Sequence, residues 1–119
     1  MTHHEATHRS ADMEECIRNC TECHAICVET IAYCARVGGK HAEAQHLSLL
    51  ATCADICRTS ADAMLRGSRV HGYVCGACAA VCSACADACS AMRDDPEMAR
   101  CAEACRRCAR SCEEMARGM

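Results

Sequence analysis

Residues 75–89 read CGACAAVCSACADAC, with cysteine at Cys75, Cys78, Cys82, Cys85 and Cys89. The gaps alternate 3, 4, 3, 4, which is the a/d spacing of a helix packed inside a bundle. Thiols stand where leucine normally would. The stretch therefore predicts a helix whose buried stripe is a row of soft metal ligands.

The same alternation recurs on both sides. A first helix is expected to start near Ser10 or Asp12, both good N-caps, and to stop at Gly38 and Gly39. Its stripe holds Met13, Cys16, Cys20, Cys23, Cys27, Ile31 and Cys34. A second, from about His41 to Arg66, carries His46, Leu50 (or Leu49), Cys53, Cys57, Ala61 and Met64. The ladder occupies a third, from about Ser68 to Met92. Asp94 and Asp95 followed by Pro96 and Glu97 open a fourth, with Pro96 at the first helical position. That stripe is Met98 (or Ala102), Cys101, Cys105, Cys108, Cys112 and Met115. No strand signal occurs. Four helices of roughly 20 to 26 residues on short links must turn back on one another. The expected fold is all-α: an antiparallel up-down-up-down four-helix bundle with a cysteine-lined core, one domain over residues 10–119. Residues 1–9, with His3, His4 and His8, read as a mobile polar tail.

The composition limits what such a core can be. Cysteine is 16 of 119 residues, with no Phe, no Trp and two Tyr. Cysteine and alanine are small, so a core of these alone buries little area per residue. Disulfides or metal ions must supplement it. The net charge of −3 is spread over both signs, which argues against nucleic acid and membrane surfaces. No apolar run is expected to approach the ~18 residues of a spanning helix, and the opening MTHHEATHRS lacks an apolar export region. A cytoplasmic location is expected.

Side chains three or four apart on a helix lie one above another. Cu(I) is soft and takes two or three thiolates, so a continuous ladder offers overlapping sites whose sulfurs bridge ions. Structural Zn²⁺ wants four converging ligands; the bundle could build such sites, but zinc does not call for unbroken helical rows. Ferredoxin-type iron–sulfur spacing places proline after a cysteine, and none follows one here. Helical i,i+3 pairs have poor disulfide geometry, and the βαβ context of a thioredoxin-like redox motif is missing. The reading is a non-catalytic Cu(I) store. Its alternatives are a zinc or general soft-metal detoxification protein, an iron–sulfur or thiol-redox carrier, and a purely structural module.

The two ends differ. Met13, Ile17, Met64, Leu65, Val70, Tyr73 and Met115 are expected to plug one. The other gathers Gly38, Gly39, Lys40, His41, His46, Met92, Asp94, Asp95 and Met98, and polarity marks it as the mouth for ions. His46 lies seven residues before Cys53, so the stripe places it inside as a candidate ligand. His41, Met92 and Met98 are candidates at the mouth. His24 and His71 flank the stripes and read as packed residues, and the methionines also suit ordinary core filling.

The CxxxCxxCxxxC run of the first helix, CADIC at Cys53–Cys57, the central ladder and CAEACRRCARSC at Cys101–Cys112 resemble the bacterial copper storage proteins. The resemblance covers about residues 12–117, and without a signal peptide it is to the cytosolic branch. It implies a four-helix bundle, often tetrameric, holding many Cu(I) ions on its thiols, with the mouth where helices 1–2 and 3–4 are linked. Exchange with a copper chaperone or a low-molecular-weight thiol would fit such a store. The second helix is poorer in cysteine than the family pattern, which implies a lower capacity than thiol-richer members.

Overall fold

Ser10 sets the first helix: its hydroxyl accepts the Met13 amide at 3.1 Å, and α1 runs Ala11–Val37. The computed structural model describes residues 9–118; the histidines of the tail, His3, His4 and His8, lie outside them. Arg9 holds Glu14 at 2.7 Å. Gly38 and Gly39 take left-handed φ of 78° and 58°, a region that costs glycine nothing, and turn the chain into a 3₁₀ segment over Gly39–Ala42. Then come α2 (Ala44–Leu65), α3 (His71–Ser90) and α4 (Pro96–Arg117). Asp95 caps α4 by accepting the Glu97 amide at 2.9 Å, with Pro96 behind it.

Three boundaries differ from expectation. His41 belongs to the 3₁₀ segment rather than to α2, because Glu43 re-enters through extended backbone at ψ 143°. The third helix starts at His71 rather than Ser68 and ends at Ser90 rather than Met92. Ser68 instead makes a turn, its hydroxyl accepting the Val70 amide and its carbonyl the His71 amide.

Each helix packs on its two neighbours in a ring, α1 on α2, α2 on α3, α3 on α4 and α4 on α1. The result is the antiparallel four-helix bundle, 55 × 22 × 21 Å. Ion pairs Arg107–Glu22 at 2.9 Å and Arg100–Glu29 at 3.0 Å clamp α4 to α1; exposed pairs of this kind are each worth under about 1 kcal/mol. All sixteen cysteines are free, with no exposed surface. Ala54, Ala61, Ala79, Ala86, Ala102 and Ala104 fill the space between them.

The apolar plug is only half right. Ile17 and Met64 are buried, and Met13 and Met115 pack partly against the core. Leu65, Val70 and Tyr73 are 51%, 53% and 77% exposed. Tyr73 lies two residues before Cys75, roughly 200° around the helix and so on the outer face. Val70 sits in the turn before α3, and Leu65 lies one residue beyond the buried Met64. The apolar-run expectation also fails: α3, with a mean hydropathy of 1.4, is by length and composition apolar enough to cross a membrane. That hydropathy comes largely from alanine and cysteine, and its five cysteines are the buried face.

Candidate metal centre

Because successive helices run in opposite directions, their stripes meet in layers with one side chain from each helix. Two central layers are all thiol. In one, Cys108 approaches Cys20 at 3.5 Å and Cys57 at 3.7 Å, and Cys78 lies 3.8 Å from Cys57. In the next, Cys23 and Cys105 are 3.7 Å apart, Cys53 and Cys82 3.6 Å, and Cys53 and Cys105 3.9 Å. Toward the mouth, Cys27, Cys85 and Cys101 form a third layer, with Cys27 and Cys101 4.0 Å apart. The fully buried Leu50 is the nearest stripe position of α2. Toward the far end, Cys16, Cys75 and Cys112 meet Ser60, with Cys16 and Cys112 at 3.7 Å.

The layers are stitched together. Cys57 to Cys82 is 3.5 Å, Cys20 to Cys112 3.6 Å, Cys78 to Cys82 3.7 Å and Cys27 to Cys105 3.9 Å. Four sulfurs fall within 4.8 Å of one another in sets such as Cys20, Cys78, Cys108, Cys112 and Cys23, Cys53, Cys57, Cys82. Others are Cys23, Cys27, Cys53, Cys105; Cys27, Cys85, Cys101, Cys105; and Cys57, Cys78, Cys82, Cys108. Most members belong to two sets. Discrete tetrahedral sites cannot share ligands so freely, whereas bridging thiolates of a low-coordinate soft ion can.

Burial and mutual hydrogen bonding divide the thiols. Cys20 is lowered to about 5, first by its bond to Cys108, whereas Cys108 is pushed up, first by Cys112 and then by Cys20. A buried cluster cannot ionise everywhere at once. Monovalent cations replacing protons would relieve that constraint.

The end expected to be the mouth has different chemistry. Cys34 lies 3.6 Å from the Met98 sulfur and 3.7 Å from His46 Nε2, and Met98 is fully buried. Burial pushes the Cys34 thiol up, and burial followed by the charge of His41 pushes the His46 imidazole down, toward the neutral form a metal requires. Met92 packs partly against the core and, with His46, borders a groove of about 840 Å³ between α2 and α3. Cys89 is buried beside Cys85 and Cys101. Around the rim, Asp95 Oδ2 accepts from Tyr33 Oη at 2.6 Å and pairs with His41 Nε2 at 3.1 Å. The phenol bond, foremost, holds the Asp95 carboxyl below its ordinary value, while Asp95 pushes Tyr33 up to about 12.

The sixteen thiols and His46, expected inside, do lie in the interior, and of the three residues expected at the mouth Met98 is fully buried against Cys34 while His41 and Met92 lie nearer the rim. His24 donates to the Ala54 carbonyl at 2.8 Å and His71 to the Ser68 carbonyl at 2.9 Å, so both are tied to backbone. Two stripe assignments shift by one residue: Thr30 rather than Ile31 is fully inside, and Ser60 joins Ala61 there. The signal for Ser60 was legible, since Cys53, Cys57 and Ser60 continue the 4, 3 alternation.

A family profile described as copper storage protein matches residues 9–117. None of the curated proteins matches by sequence. Among solved structures, a protein of Nitrosospira multiformis is 41% identical over 91% of this chain and 97% of its own, with a TM-score of 0.85. The Cu(I)-bound copper storage protein Csp3 of Bacillus subtilis is 32% identical over 88% of this chain and 98% of its own, at 0.82. The Streptomyces lividans protein Ccsp, loaded with 10 copper equivalents, is 29% identical over 91% and 86%, at 0.79.

Proposed function

The chain belongs to the copper storage protein family, and from that premise we propose that it binds and stores multiple Cu(I) ions on the thiolates lining its core, sequestering and supplying copper in the cytoplasm. The observation that carries this is the network of free, fully buried sulfurs through the middle of the bundle, whose four-membered sets share their members. All sixteen cysteines serve as ligands. Cys34, His46 and Met98 form a mixed thiolate, imidazole and thioether site at the mouth, flanked by His41 and Met92. The protein is a store rather than a catalyst.

The cytoplasmic assignment draws on the Streptomyces lividans relative, described as cytosolic, and on the reducing conditions that sixteen free thiols need. Assembly as a homotetramer follows from family resemblance. Loading and unloading run through a copper chaperone or a low-molecular-weight thiol at the mouth. The test is competitive loading: the reduced protein is exposed without oxygen to equal Cu(I) and Zn²⁺, and its metal content is counted. Copper in large excess over zinc supports the store. Zinc at one or a few ions per chain, with little copper, overturns it.

A further inference from the structure

Only two polar side chains are assigned to the buried core among the described residues, Thr30 and Ser60. They behave differently. Thr30 donates to the Ile26 carbonyl of its own helix at 2.7 Å, as Thr21, Thr52 and Thr59 do to carbonyls four residues back. That is the ordinary fate of a helical hydroxyl. Ser60 Oγ instead sits 3.2 Å from Cys75 Sγ and 3.9 Å from Cys112 Sγ, with no oxygen partner among the described residues. It occupies a ladder position of α2 and completes a layer with Cys16, Cys75 and Cys112, one side chain from each helix.

We propose that Ser60 is a positioning residue of the metal core. Its hydroxyl donates to the Cys75 sulfur and supports a three-thiolate Cu(I) site that ends the ladder. This rests on the storage reading above. One Cu(I) among three buried thiolates leaves negative charge that no water reaches, because all four side chains have no exposed surface. A hydrogen bond to a charged sulfur offsets part of that cost and is stronger than one to a neutral acceptor. Serine is a better hydrogen-bond donor than cysteine and leaves the copper to the three sulfurs.

The test compares Ser60→Ala and Ser60→Cys with the parent protein, each fully loaded with Cu(I) without oxygen. Copper is then withdrawn by a graded chelator and followed by chelator absorbance and Cu(I)–thiolate luminescence, with metal-free melting measured alongside. Ser60→Ala should melt near the parent yet release one equivalent about tenfold more readily, the size of a lost charge-assisted bond. Ser60→Cys, which trades the hydroxyl donor for a fourth sulfur ligand, should hold that equivalent at least as tightly as the parent, because direct coordination takes the place of the hydrogen bond. A Ser60→Ala release curve superimposed on the parent's overturns the role of Ser60, as does a Ser60→Cys protein that behaves like the alanine variant. Should Ser60→Ala not fold, the cysteine variant alone decides: an equivalent lost more readily than in the parent contradicts the proposal. A parent protein that holds no core copper overturns the storage reading, and with it this one, so the two failures are distinguishable.

Discussion

The central layers and the mouth are built by the same four helices in the same register, yet they hold different donors. In the middle, every helix contributes a thiol, and sulfurs 3.5 to 3.9 Å apart link one layer to the next. At the mouth, Cys34 has an imidazole and a thioether for neighbours. Between the two, α1 offers Thr30 and α2 offers Leu50, both fully or almost fully buried and neither a soft ligand. The backbone sets where donors meet, and the residue at each stripe position sets what the meeting place can do. Overlapping thiolates suit accumulation. A mixed site behind a partial apolar break suits capture and transfer.

The largest test of that contrast removes one whole central layer. Replacing Cys20, Cys57, Cys78 and Cys108 together by serine should lower Cu(I) capacity by on the order of two to four equivalents, given bridging thiolates. Chelator competition reads this, and an undiminished capacity would show that the central sulfurs are bystanders. Cys34→Ser, by contrast, should cost at most about one equivalent but slow loading by roughly tenfold in stopped-flow, if the mixed site receives the ion first. Equal losses from both variants would erase the distinction between store and mouth.

Leu50→Cys sharpens the contrast from the other side. It should complete a fourth thiol in the layer of Cys27, Cys85 and Cys101 and raise capacity by up to about one equivalent. The metal-free protein should lose about 1–3 kcal/mol of stability, because a large apolar side chain leaves a cavity. Denaturant melts and metal counting check the two halves separately. A stability loss without any gain in copper would mean that the layer geometry does not accept a fourth sulfur.

The smallest expected effect is at the rim. Asp95 has its pKa depressed, so its stabilising contribution is present above the ordinary carboxylate range and is lost as pH falls through the folded value. Tyr33→Phe removes the foremost cause of that depression. Acid unfolding should then begin at a higher pH, by roughly a few tenths of a unit. An unchanged acid limb would show that His41 and the Glu97 amide suffice.

Much of this was legible because cysteine advertises its own periodicity. The 3, 4 alternation fixed helix faces, Pro96 after Asp95 fixed a start, and paired glycines fixed a turn. What escaped was decided by single residues. Val70 and Tyr73 are apolar, but Val70 falls in the turn before α3 and Tyr73 on the outer face of that helix, so both stay outside. His41 stands near its predicted place, yet the left-handed glycines put it in a 3₁₀ segment facing Asp95. Ser60 was passed over for its neighbour Ala61 although the spacing from Cys53 and Cys57 points to it, because the reason for a hydroxyl inside a thiol core shows only in its sulfur partners.

The most direct measurement is an anaerobic titration of the fully reduced protein with Cu(I) against a strong Cu(I) chelator. The account predicts tight binding of about ten or more equivalents per chain, roughly one ion for every one or two thiols. Saturation at about one to four equivalents would contradict it, leaving a few isolated sites in place of a storage core.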